Sequence, residues 1–210
     1  MTEHERFIVE LANAAAAVTL PFFRSDIGHE DKGGKAGFDP VTEADKQAEA
    51  AIRRLIAERY PHHGVIGEEY GEDRPDAEFV WVLDPIDGTR AFISGLPLWT
   101  TLIALRVEDR PNVGVIAQPY LDEIFIGGPS GARLIRSEGE TPLAVRACAK
   151  LTDAVISTTD PNIFNGAELG AWTQVRAAAR LARLGCDAYA YAMVTAGRMD
   201  LVAETSLKTW

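Results

Sequence analysis

A chain of 210 residues, 47% of them apolar, is long enough to bury a full core as one large domain or two small ones. Its 31 acidic and 21 basic residues give a net charge of -10, which repels phosphate and excludes nonspecific nucleic-acid binding. No stretch approaches the roughly 20 apolar residues of a membrane span, and Glu3, Glu5 and Glu10 stand where a secretory leader would be basic, so a cytoplasmic protein is expected.

In chain order, Thr2 and Glu5 have capping-box spacing, and Phe7, Leu11, Ala14, Val18 and Phe22 recur with the period of a helix. From Gly28 to Pro40 that period gives way to Gly33, Gly34, Lys35 and Gly37, the composition of a mobile loop. A second helix starts at Thr42, buries Ala48, Ile52, Leu55 and Ile56, and stops at Pro61. Two strands follow, each ending in acid: Val65 to Gly67 leads into Glu68 and Glu69, and Phe79 to Leu83 leads into Asp84.

Apolar runs at 99–107, 113–118, 123–126 and 133–136, punctuated by the Gly127–Gly131 turn, predict an antiparallel meander. Beyond Ala144 strand and helix alternate, with strands at 154–157 and 201–203 and helices at 168–181 and 188–196. We therefore place a boundary near residue 145, with an N-terminal part of 1–145 and a C-terminal part of 146–210. Cys148 and Cys186 have neither CxxC spacing nor neighbouring histidines, and are expected to be small buried hydrophobes.

Chemistry concentrates in Asp84-Pro85-Ile86-Asp87-Gly88-Thr89. Two carboxylates three residues apart, with Pro85 stiffening the backbone between them, can face one cation while a carbonyl also turns inward. A turn followed by an Asp helix cap would have the same spelling. Glu68 and Glu69, at the end of a second strand, favour the metal, because acids gathered at neighbouring strand ends repel one another without a cation. A protein this acidic also needs bound cations to attract an anionic substrate. The N-H groups opening the segment at Gly88 and Thr89 would suit a phosphate. None of His4, His29, His62 and His63 lies in these motifs, and His62-His63 after Pro61 is expected to be a solvated turn.

The sequence resembles the inositol monophosphatase family of Mg²⁺-dependent, commonly lithium-sensitive phosphatases. Four segments carry the resemblance: Val41-Thr42-Glu43-Ala44-Asp45, Gly67-Glu68-Glu69, the hexapeptide, and Asp200 through Glu204 to Trp210. It implies an α/β (α+β) layered sandwich with N-terminal helices on an antiparallel sheet and a C-terminal mixed part. It also implies two or three Mg²⁺ ions, a small phosphorylated metabolite as substrate, and a homodimer.

Carried over position by position, Glu68, Asp84, the Ile86 carbonyl and Asp87 would hold metal, with Asp84 bridging two ions. The Gly88 and Thr89 amides would hold phosphate, and Asp45 with the Thr89 hydroxyl would orient the attacking water. Asp45 also completes a capping box with Thr42, so helix start and catalysis are both open to it. Gly185, Cys186, Asp187 and Glu204 would meet the organic half of the substrate; the alternatives are a helix N-cap for Asp187 and a surface acid for Glu204.

The stretches Arg90 to Pro97 and Gly185 to Tyr191 look like the histidinol-phosphate phosphatase branch. Asp187 and Glu204 would suit an ammonium and an imidazole, and equally sugar hydroxyls. The family pattern continues past Trp210 with an aspartate at the second metal, then a strand and a helix. If the polypeptide ends at Trp210 the resemblance implies a weakened second metal site; a piece of a longer protein, and a metal-binding regulatory protein with a residual phosphatase fold, are the alternatives.

Overall fold

The computed structural model describes residues 1–25, 29–31 and 40–210. Helix α1 (Glu3–Thr19) opens with the expected capping box: the Glu5 amide donates to Thr2 Oγ1 at 3.2 Å, and the Thr2 amide donates to Glu5 Oε2. Its buried face is Phe7, Ile8, Leu11, Ala12 and Ala15, whereas Ala14, Val18 and Phe22 are only half-buried. Helix α2 (Glu43–Arg59) packs beside it through Ala48, Ile52 and Ile56. These faces share one core with Trp81, Leu83, Leu105 and Val113 of the main sheet.

The expected glycine-rich segment with Gly33, Gly34, Lys35 and Gly37 lies outside the described residues. At its edges His29–Asp31 forms β1, antiparallel to β2 (Pro40–Thr42), where the sequence suggests only loop.

The main sheet has eight strands. β3 (Gly64–Gly67), β4 (Gly71–Asp73) and β5 (Phe79–Asp87) precede the short helix α3 (Thr89–Ile93). The meander follows as β6 (Thr100–Val107), β7 (Arg110–Gln118), β8 (Glu123–Gly128), β9 (Gly131–Arg136) and β10 (Gly139–Pro142), each antiparallel to the last. The spatial order is β10-β9-β8-β7-β6-β5-β3-β4, and β3 pairs with β5 in parallel. β4 and β10 are exposed throughout, so neither has the apolar run that marks a strand in sequence.

A second sheet combines β11 (Val155–Thr158), β12 (Leu181–Leu184) and β13 (Leu201–Val202), with β11 central and parallel to both neighbours. Helix α4 (Gly166–Ala178) buries Trp172 beside Ile156 and Phe164. The expected helix to Leu181 is thus too long: α4 ends at Ala178 and Leu181 opens β12, whose mostly exposed residues carry no strand signal. Helix α5 (Asp187–Thr195) packs Ala192 with Phe125 and Leu134 of the meander, and Tyr189 Oη donates to Glu123 Oε2 at 2.7 Å.

His63 departs from expectation. Its ring stacks on Tyr60 at 4.5 Å and on Phe79 at 4.7 Å, and its Nδ1 accepts from Trp81 Nε1 at 3.1 Å. Burial, reinforced by His4 and His62, holds the imidazole down to about 4. Cys186 is buried as expected, while Cys148 is half-buried against the smaller core, and both are free thiols. No described helix is long and apolar enough to cross a membrane.

Candidate active site

The hexapeptide does not follow β5 as a turn; its first four residues are the end of that strand. Asp84 pairs with Leu102 and Asp87 with Thr100, so three steps along β5 match two along β6. In a regular strand side chains alternate faces, and acids three apart would point oppositely. The extra residue is a β-bulge, which restores both to one face. Pro85 has no N-H to give the ladder, but its carbonyl accepts from Thr101 Oγ1 at 2.8 Å.

The resulting electrostatics are unfavourable. Burial, then the nearby charges of Asp87, Glu68 and Asp45, raise the Asp84 carboxyl well above its ordinary range. Its Oδ1 is buried and has no hydrogen-bond partner among the described residues. Asp87 is pushed up to about 7, mainly by burial and also by Asp187 and Glu68. The Ala188 amide, donating to its Oδ2 at 2.7 Å, opposes that rise, as does the Thr100 hydroxyl at 3.4 Å.

Glu68 lies one residue past the Gly67–Leu83 pair of the parallel β3–β5 ladder, and its amide donates to the Leu83 carbonyl at 3.3 Å. Its Oε1 is 3.5 Å from the Lys208 ammonium. Among the described residues no three His, Cys, Asp or Glu side chains close around one point, so these acids are neighbours rather than a finished coordination shell. Their chemistry nevertheless fits Mg²⁺: every donor is a hard oxygen, one is orphaned and buried, and a cation would relieve the repulsion that raises Asp84 and Asp87.

Asp45 completes the capping box of α2, its Oδ2 accepting from the Thr42 amide at 2.9 Å and the Thr42 hydroxyl at 2.5 Å. It is buried, faces the charges of Glu69 and Asp84, and is raised to about 6, chiefly by burial. The Thr89 hydroxyl, which the resemblance pairs with Asp45, instead donates to the Ile86 carbonyl at 3.1 Å.

Gly88 precedes α3 with φ +78°, and no side chain caps that helix. The positive φ favours glycine at this position, and a Cβ there would stand 3.0 Å from Asp187 Oδ2, a tight contact. The uncapped first turn leaves amide donors suited to an anion.

Asp84, Asp87, Asp187, Glu204, Thr159 and Tyr191 all line one cavity of about 520 Å³, along which residues 207–210 also run. Asp187 is the first residue of α5 and is raised by burial and by Glu204, against the pull of Arg90. Glu204 Oε1 accepts from the Thr159 amide at 2.7 Å and its hydroxyl at 3.0 Å. Gly185, at φ +69°, turns the chain from β12 toward α5, and Cys186 is buried just before the helix; neither lines the cavity as Asp187 does.

Glu49 escaped the sequence reading. It sits fully buried on α2, four residues after Asp45, and receives the amides of Glu69 and Tyr70. Its signal was an acid beside the apolar stripe of Ala48 and Ile52.

Acids gathered beside the uncapped start of α3, in this layered frame, fit a phosphomonoester hydrolase. Comparison with known proteins gives the same class, for the inositol monophosphatase family model matches residues 1–210. The chain belongs to the inositol monophosphatase family. It is 40% identical over 214 residues to the Bifunctional phosphatase IMPL2, chloroplastic, of Arabidopsis thaliana, covering 100% of this chain and 60% of that protein. It is 32% identical over 212 residues to a histidinol-phosphatase of Chlorobaculum parvum, covering 100% of this chain and 80% of that one. A solved inositol monophosphatase from Zymomonas mobilis superposes with a TM-score of 0.85 at 37% identity, over 99% of this chain and 79% of that one.

Proposed function

We propose that the chain is a Mg²⁺-dependent phosphatase acting on histidinol phosphate. The observation that carries the metal is Asp84: among the described residues its buried Oδ1 lacks a hydrogen-bond partner, amid the charges of Asp87, Glu68 and Asp45. Glu68, Asp84, the Ile86 carbonyl and Asp87 would hold two or three ions. The Ile86 carbonyl keeps a second lone pair while accepting from Thr89. Bound there, Mg²⁺ supplies positive charge to the phosphate oxygens and makes water more acidic.

The amides of Gly88 and Thr89 bind the phosphate. Thr89 Oγ1, on leaving the Ile86 carbonyl, joins Asp45 in orienting the water for attack on phosphorus. Asp187 and Glu204 take the ammonium and imidazole of the substrate through charge-assisted hydrogen bonds. The histidinol-phosphatase relative supports this substrate. A cytoplasmic homodimer inhibited by lithium completes the reading, and sedimentation at micromolar concentration tests the dimer. The substrate is tested by comparing kcat/KM for histidinol phosphate, inositol 1-phosphate and adenosine 3',5'-bisphosphate. A higher value for inositol 1-phosphate overturns the choice.

A further inference from the structure

We propose that Glu49 is a positioning residue that clamps the turn carrying Glu68 and so sets the affinity of the metal site. This rests on the reading of Glu68 as a metal ligand. Glu49 has no exposed surface, and burying a lone carboxylate is costly unless donors surround it. Its donors come from the turn itself: the Glu69 amide gives to Oε2 at 2.7 Å, and the Tyr70 amide to Oε1 at 3.2 Å. Arg53 Nε also gives to Oε1 at 2.7 Å, while Arg53 Nη2 donates to the Gly71 carbonyl.

Glu68 is therefore fixed from both sides. Its own amide is tied to β5 through Leu83, and the two amides that follow are tied to α2 through Glu49. Gly67 shows how closely the clamp is drawn, since a Cβ there would lie 2.1 Å from Glu49 Oε1. An i,i+4 pair serving helix stability alone needs neither the turn amides nor this approach. With the backbone of Glu68 held, its carboxylate starts near the position of use.

The test is Mn²⁺ titration of the full chain by electron paramagnetic resonance, with Mg²⁺ dependence and KM measured alongside. Glu49→Gln keeps the shape but replaces one acceptor oxygen with a donor. Mn²⁺ affinity should fall about tenfold, and the Mg²⁺ for half-maximal rate should rise equally, as is common when a partner of a metal ligand is lost. KM at saturating Mg²⁺ should stay unchanged. Arg54→Ala, which removes an exposed pair with Glu58, should change none of these. Unchanged Mn²⁺ affinity in Glu49→Gln overturns the clamp.

If Glu49→Gln does not fold, amide exchange in the wild-type chain decides. Protection of Glu69 and Tyr70 without divalent ions supports the clamp, and rapid exchange overturns it. Glu68→Gln separates the two readings. Loss of affinity there without loss in Glu49→Gln removes only the clamp, whereas unchanged affinity in Glu68→Gln removes the metal assignment and the clamp with it.

Discussion

The acids on the main sheet and the acids on the smaller one share a cavity but are held in different ways. Asp84 and Asp87 sit in β5, flanked by β3 and β6, with Leu83, Pro85 and Ile86 buried around them. Asp187 and Glu204 follow β12 and β13, the outer strands of a three-stranded sheet, both largely exposed. The first pair is fixed by a sheet interior and pays in repulsion; the second stands at the edge, where Asp187 is raised by burial and by Glu204 and is eased by Arg90. Chemistry that must not move is placed in the interior, while recognition that distinguishes relatives can be built at the edge.

The sharpest way to break this comparison is Asp84→Asn. It removes the carboxylate that faces Asp87, Glu68 and Asp45, and kcat should fall by about 10³-fold, because the charge stabilisation a bound metal supplies is worth several kcal/mol. Steady-state kinetics across a Mg²⁺ series checks this, with circular dichroism confirming the fold. Retained turnover would place the chemistry elsewhere.

Asp45→Asn and Thr89→Ala should each lower kcat by about 10²-fold while Mn²⁺ affinity survives, if they orient water. Asparagine at this third helical position keeps an oxygen that can accept from the Thr42 amide, so Asp45→Asn should leave the melting temperature nearly unchanged. That outcome separates the two roles of this residue. A drop in melting temperature without loss of rate would leave only the cap.

At the edge the effects should be smaller and should appear as selectivity. Asp187→Asn and Glu204→Gln should each lower kcat/KM for histidinol phosphate by about tenfold, the scale of one charged hydrogen bond, with kcat at saturation little changed. Equal losses for inositol 1-phosphate would argue against recognition of an ammonium.

The smallest effect is on stability and has opposite signs in two places. The Asp87 carboxyl, raised to about 7, holds a proton in the folded state that the unfolded chain has lost, so in chelator its contribution falls as pH rises from about 4 to 7. Half-buried His63, lowered to about 4, contributes fully above its ordinary value near 6.5 and loses that contribution as pH falls toward 4. Thermal unfolding in chelator should show Asp87→Asn weakening the first trend, to which Asp84 and Asp45 also contribute, and His63→Gln weakening the second, each by about 2–4 °C. Mg²⁺ should suppress only the first.

Most of the fold was legible because helices α1 and α2 and the meander bury one face each and so write their period into the sequence. β4, β10 and β12 were not, since exposed strands have no reason to alternate. His63 was misplaced because a histidine after Pro61 gives no local sign of the Tyr60 and Phe79 rings that enclose it. At the site, Asp84 and Asp87 stood out as acids among apolar residues, whereas the tie between Asp87 and the Ala188 amide joins residues 101 apart and has no sequence signature. The bulge was hidden too, because Pro85 reads as a turn until Thr101 is seen to satisfy its carbonyl.

That bulge makes the site depend on a count as well as on composition. Inserting one residue into β6 between Thr100 and Leu102 would leave every acid in the chain and could restore an even ladder between β5 and β6, yet Asp84 and Asp87, still three apart, would then stand on opposite faces of the sheet. Such a chain would contain all the right residues and hold no shared ion. Inspection of which residues are present would pass it as intact, and only the parity of the strand would reveal the loss.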